Sequence, residues 1–145
     1  MMLFPKKAKH RKWQSGRKHP EKRGNAVRGA KVSFGSFGLK ATTSARVKAN
    51  QIESARVAAN RKIGKFGKMW IRIFPDRPVT KKAAEVGMGK GKGDPYAYCV
   101  EVKPGRILLE VDGVDETIAR EALRKAGTKL PVKTKVVSRE DSENV

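Results

Sequence analysis

The chain has 145 residues, of which 34 are Lys or Arg and 14 are Asp or Glu, giving a formal net charge of +20. That length is usual for one domain, and like charge at this density opposes compaction unless a polyanion neutralises it, with nucleic acid the first candidate and an anionic membrane surface the second. No apolar run approaches the roughly 20 residues of a membrane span, and the single cysteine, Cys99, excludes a disulfide framework and a cysteine metal site and fits a reducing cytoplasm.

Residues 1–31 form a basic arm. Lys6, Lys7, Lys9, Arg11, Lys12, Arg17, Lys18, Lys22, Arg23, Arg28 and Lys31 face one acid, Glu21. The arm has little to bury and should be extended and poorly ordered when alone. Charge of one sign at this density favours nucleic acid over a solvated tail. An acid-poor basic start also suits an organellar transit peptide, but Pro5, His10, Trp13, Gly16, His19 and Pro20 allow no clean amphipathic helix.

The rest of the chain, 32–138, reads as a single domain with a small core, since only 38% of the residues are hydrophobic. Val32 to Ala41 mixes Phe34, Phe37 and Leu39 with Gly35 and Gly38, as a short bulged strand or strand pair would. Gly35-Ser36-Phe37-Gly38 matches the GXXG of KH domains only as a string, because that loop joins two helices. From Asn50 to about Ile63, Ile52, Ala55, Ala59 and Ile63 recur at helical spacing, with Asn50 and Glu53 as a capping pair and Gly64 and Gly67 as the stop. Arg56 and Arg61 lie off that stripe and are candidates for RNA.

Lys68 to Phe74 reads as a strand, with Met69, Ile71 and Ile73 on one face and Trp70, Arg72 and Phe74 on the other. The second face suits RNA contact and a second small core equally for Trp70 and Phe74; for Arg72 it favours RNA or solvent. Residues 75–95 have little to bury and read as a long basic loop. Tyr96 to Val102 and Arg106 to Val111 alternate as strands, joined through a Pro104-Gly105 turn of type II. Asp115 should cap a second helix to about Ala126, with Ile118, Ala119, Ala122, Leu123 and Ala126 as its buried stripe and Gly127 as its end. Val132 to Val137, carrying Lys133, is a final strand, and residues 139–145 form an acidic tail expected to fray. This order predicts an α+β fold with a small mixed, largely antiparallel sheet and two helices.

The run Gly87-Met88-Gly89-Lys90-Gly91-Lys92-Gly93 tempts a nucleotide-binding reading. A P-loop needs a hydroxyl residue after its Lys and a helix behind it. Here glycines follow both lysines, and Pro95 and a strand pattern come next. What remains is a flexible basic hairpin tip whose backbone can approach a phosphate. Catalysis finds no constellation: His10 and His19 lie in the arm, Cys99 lies in a strand, and Asp76, Asp94, Asp112 and Asp115 show no metal-ligand spacing. No enzyme, cofactor or metal is expected.

Six blocks in order carry a resemblance. They are Met2-Leu3-Phe4-Pro5-Lys6-Lys7, Phe34-Gly35-Ser36-Phe37-Gly38-Leu39, Gln51-Ile52-Glu53-Ser54-Ala55-Arg56, Ile71-Arg72-Ile73-Phe74-Pro75-Asp76-Arg77-Pro78-Val79-Thr80-Lys81-Lys82 with Met88 to Gly93, Lys103-Pro104-Gly105-Arg106, and Lys129-Leu130-Pro131-Val132-Lys133-Thr134. To about Val137 the chain resembles the bacterial large-subunit ribosomal protein family called L-sixteen. The resemblance implies a hammerhead-type α+β fold and binding to large-subunit rRNA. It also implies a place beside aminoacyl-site (A-site) tRNA near the peptidyl-transferase centre, neighbouring ribosomal proteins as partners, and a role in late subunit assembly and translation. The expected rRNA contacts are the arm's Lys6, Lys7, Lys9, Arg11, Lys12, Arg17, Lys18, Lys22, Arg23 and Arg28, with Arg56, Arg61, Arg72 and Lys133. The expected tRNA-proximal loop holds Lys81, Lys82, Met88, Gly89, Lys90, Gly91, Lys92 and Gly93. Gly87 stands where the family often has an Arg that some members hydroxylate, so that modification is not carried over. Lys48 stands where a Thr commonly caps the helix, and Ala83 replaces a usual Pro. Charge alone leaves open a free architectural DNA- or RNA-binding protein.

Overall fold

In the computed structural model, which describes residues 3–14 and 20–144, a 3-10 turn at Pro20–Arg23 precedes ten regular elements. These are β1 (Phe37–Ala41), β2 (Ala45–Lys48), α1 (Ala49–Ile63), β3 (Lys68–Ile71), β4 (Arg77–Lys81), β5 (Asp94–Val102), β6 (Ile107–Asp112), α2 (Glu116–Gly127), β7 (Thr134–Ser138) and α3 (Arg139–Glu143). The strands divide between two sheets rather than forming one. Their orders are β3-β6-β1-β7 and β2-β5-β4, and every pairing is antiparallel. The α+β class is therefore as the sequence predicts.

The main core lies between the four-stranded sheet and the two long helices. The α1 stripe of Ile52, Ala55, Ala59 and Ile63 is buried, as are Ala119, Ala122, Leu123 and Ala126 of α2. The alanines let the helices pack directly on each other while α2 covers β1, β6 and β7. Burying a Leu or Ile side chain contributes about 1.5–3 kcal/mol, so this alanine-rich interface relies on Ile52, Leu39, Leu109 and Leu123 for most of its apolar gain. Ile118 is only half-buried, because it stands at the edge of the α2 stripe.

A bulge re-aims β6. Leu39 pairs with Leu109 but Lys40 pairs with Ile107, so Leu108 is the extra residue. The alternation of Ile107, Leu109 and Val111 is thereby broken. Leu108, Leu109 and Val111 join the main core, whereas Ile107 packs in a separate cluster with Val32 and Val137.

Two of the crossings between the sheets are stitched together. β1 leads into β2, and β5 leads into β6 through the turn at Lys103–Arg106, where Gly105 has φ 95° and the Arg106 N–H donates to Lys103 O at 3.2 Å. The turn has the expected left-handed glycine but closes no hairpin, since its strands belong to different sheets. The Gly105 N–H donates to Ala41 O at 2.7 Å and the Ala41 N–H to Arg106 O at 2.9 Å, which locks the two crossings.

Several expectations are corrected. Val32–Ser36 forms no strand, because the N–H groups of Ser33, Phe34 and Gly35 turn to one side chain described below and that of Val32 to Ser142. α1 begins one residue early: the Lys48 N–H is capped by Gln51 Oε1 at 2.8 Å, and Glu53 pairs instead with Arg56. Asp115 occupies the N-cap position of α2 without a side-chain cap bond. The 75–95 segment is shorter as a loop, since β4 pairs along β5 and only residues 82–93 connect them. Pro78 is tolerated because β4 is an edge strand and loses no ladder donor. Arg139–Glu143 is a helical turn rather than a frayed tail: Ser138 Oγ caps it, Arg139 donates to Ser33 O at 2.6 Å, and buried Ser142 Oγ accepts the Val32 N–H at 3.1 Å.

Candidate nucleic-acid interface

The arm ends where a buried carboxylate holds the chain down. Glu110 of β6 has no solvent exposure, and it accepts N–H bonds from Ser33 (2.9 Å), Phe34 (2.6 Å) and Gly35 (2.9 Å). Arg72 forms an ion pair with the same carboxylate. Burial pulls the Glu110 acid upward, but the three backbone donors and the guanidinium outweigh it and hold its pKa below the ordinary value. Gly35 is required here because a Cβ would lie 2.6 Å from Val111 O. Arg72 also lies 4.9 Å over the Phe34 ring, which stacks on Trp70 at 6.3 Å. Sequence reasoning assigns Arg72 to RNA or solvent; the structure commits its guanidinium to Glu110. Trp70 belongs to this local aromatic cluster, whereas Phe74 remains exposed.

A second carboxylate organises the outer face of the three-stranded sheet. Glu101 of β5 faces Arg46 of β2 in direct register, at 3.4 Å. Arg77 of β4 and Arg23 from the arm's 3-10 turn reach the same carboxylate. One acid thus gathers three guanidinium groups and leaves an excess of positive charge. Cys99, two residues earlier on the same face, is buried; that burial pushes its thiol pKa up despite Arg46 and Arg77 nearby, so it is poorly suited to act as a nucleophile.

Arg106 ties the arm to this region. It donates to Arg28 O at 3.3 Å and Arg72 O at 3.2 Å, while the Ile107 N–H donates to Gly29 O at 2.8 Å. The Ala26 N–H donates to Pro104 O at 2.8 Å. Residues 26–29 of the arm thus run along the β5–β6 turn.

Farther toward the N-terminus the arm meets the glycine-lysine loop. Arg11 lies 3.7 Å from Asp94, Lys12 Nζ donates to Lys92 O at 3.1 Å, and Lys92 Nζ donates to Trp13 O. The loop tip carries three successive left-handed residues, Gly89 (φ 107°), Lys90 (φ 60°) and Gly91 (φ 93°). Lys82 Nζ donates to Gly89 O across the tip, and Met88 is 99% exposed. Lys81 lies 5.9 Å over the Tyr96 ring at the base of the loop.

The sequence-predicted residues thus fall into separate groups. Lys6, Lys7, Lys9, Arg11 and Lys22 are exposed on the arm and Lys12 is half-buried, while Arg23 reaches Glu101 and Arg28 lies against Arg106. Lys81, Lys82, Met88, Gly89, Lys90, Gly91, Lys92 and Gly93 form or flank the loop. Arg56 pairs with Glu53, lowering that carboxyl to about 2. Arg61 stands with Lys62, Lys125 and Lys129 around the C-terminal ends of α1 and α2. Lys133 is exposed, its N–H bonded to Thr43 Oγ1 at 2.9 Å. Arg17 and Lys18 lie outside the described residues. Sequence reasoning misses Arg46, Arg77, Arg106 and Glu101; strand pairing brings Arg46 and Arg77 to Glu101, and the β5–β6 turn places Arg106.

No helix among the described residues is long and apolar enough to cross a membrane, and among those residues no group of three or more His, Cys, Asp or Glu could hold a metal ion. The arrangement offers cations on an extended arm, a loop of open backbone and ordered arginines, all suited to phosphate. The family model described as ribosomal protein L16p/L10e matches residues 5–137, nearly the whole chain.

Proposed function

Because the chain belongs to the ribosomal protein L16p/L10e family, whose members are structural constituents of the large ribosomal subunit rather than enzymes, we propose that it binds large-subunit rRNA through the arm at 1–31 and the basic face of the domain at 32–138. The arm runs between RNA helices. The loop at 81–93 reaches toward A-site tRNA near the peptidyl-transferase centre, and the protein supports late subunit assembly beside neighbouring ribosomal proteins in the cytoplasm. The arm contacts are Lys6, Lys7, Lys9, Arg11, Lys12, Arg17, Lys18, Lys22, Arg23 and Arg28, with Arg61 and Lys133 on the domain.

One observation supports this reading above the others. Arg11, Lys12 and Trp13 lie against Lys92 and Asp94, so the two most basic unstructured segments share one side of the molecule. Cations of both segments would neutralise RNA phosphates there together and release the counterions condensed on that RNA. Ultraviolet crosslinking of the full chain in growing cells tests the reading. The captured RNA should be large-subunit rRNA, with tRNA captured through the loop. Capture spread over unrelated RNA or DNA would overturn it in favour of a free architectural protein.

A further inference from the structure

A cleft of about 450 Å³ opens beside the Glu101 cluster, and Trp13, Phe74, Asp76, Arg77 and Arg106 are among the residues that line it. Its two aromatic residues are 40% and 45% exposed, although rings of that size usually find a core. The Arg77 guanidinium lies 5.9 Å from the Trp13 ring. Arg106 bonds only to main-chain oxygens, and among the described residues no carboxylate forms an ion pair with it. Glu101, which also lines the cleft, is already shared by three arginines. The cleft therefore combines two partly exposed rings with an excess of cations, because Arg72, Arg77 and Arg106 outnumber its carboxylates Asp76 and Glu101, and Arg106 has no ion-pair partner among the described residues.

That combination suits one class of ligand. A nucleobase has a face that stacks on an aromatic ring, and its phosphate answers the arginines. A base inside an A-form duplex cannot enter a cleft, whereas an unstacked one can be splayed out and held. The volume lies within the usual range for a small-ligand site, roughly 300–1,000 Å³. An acidic peptide would satisfy the charge and leave the ring faces unused.

We propose that this cleft holds one unstacked nucleotide of single-stranded RNA, its base on the aromatic wall of Trp13 and Phe74 and its phosphate on Arg77 and Arg106. The inference deepens the rRNA-binding reading and rests on it.

Fluorescence of the full chain carrying Trp70→Phe, which leaves Trp13 as the sole tryptophan, tests it. The probes are a short single-stranded oligoadenylate, a blunt RNA duplex and inorganic polyphosphate. Oligoadenylate should quench Trp13, and the other two should bind by charge without quenching. Adding Phe74→Ala should weaken oligoadenylate binding about 5- to 100-fold, the effect of losing one stacking ring. Trp13→Leu, read by anisotropy of labelled oligoadenylate, should do the same and gives an independent variant. Absent quenching, equal quenching by duplex or polyphosphate, or unchanged affinity in both variants would overturn the proposal. Sedimentation of the Trp70→Phe chain with large subunits separates the two failures. A chain that sediments with them but shows no selective quench loses only the cleft; one that does not sediment with them loses the ribosomal reading itself.

Discussion

Arg72 is paired with Glu110, a carboxylate that lies wholly inside the protein and also accepts three backbone N–H bonds. One charged pair therefore fixes the junction between the arm and the domain. Replacing Glu110 by Ala should lower unfolding stability by about 3–5 kcal/mol, because three donors and a guanidinium lose their acceptor together. Urea denaturation of the wild type and the variant measures this directly.

The same carboxylate sets a pH dependence. Its folded pKa lies below its unfolded value, so its contribution is complete above the unfolded pKa and is lost as pH falls through the folded pKa. Wild-type stability should therefore decline in acid below the ordinary glutamate range. Glu110→Gln should show a flatter decline over that range, starting from lower stability at neutral pH. Parallel acid-to-neutral denaturation series check the sign.

Gly35→Ala should destabilise by about 1–3 kcal/mol, the usual cost of overpacking. The added methyl would meet the Val111 carbonyl, which is backbone and cannot rotate away. Gly89→Ala tests a different property: its surroundings are open, so any cost comes from φ 107° alone. Thermal unfolding should rank Gly35→Ala as the more harmful.

Deleting residues 87–93 should leave the melting transition nearly unchanged, since Met88 is exposed and Gly87, Gly89 and Gly91 face open space. Large subunits carrying the deletion should accommodate A-site tRNA more slowly. Normal accommodation rates in such particles would remove the loop from the proposed tRNA contact.

Much of the fold is legible because its signals are local. The α1 stripe at Ile52, Ala55, Ala59 and Ile63 and the left-handed turn at Gly105 depend on neighbours in sequence. Alternation finds the strand that begins at Lys68 but runs it to Phe74, whereas pairing with β6 ends it at Ile71. What stays hidden depends on distant partners. Nothing around Leu108 announces a bulge, since the extra residue is defined only against Leu39. Arg46 and Glu101 are 55 positions apart (101 less 46) and meet only through strand pairing. Arg72 reads as a free cation until Glu110 is placed opposite it. The tail looks polar and frayed until Ser142 is seen to bond Val32. Arm and loop are each identifiable as basic, but their adjacency through Lys12, Trp13 and Lys92 is not.

The most direct measurement is sedimentation of the tagged chain through a sucrose gradient at rising salt, beside a variant with Lys6, Lys7, Lys9, Arg11 and Lys12 changed to Glu. The wild type should travel with large subunits and stay there at moderately high salt. The reversed arm should remain near the top, because its phosphate contacts become repulsive. A wild-type chain that stays at the top, or a reversed arm that incorporates as well as the wild type, would contradict an rRNA-bound subunit protein held by its arm.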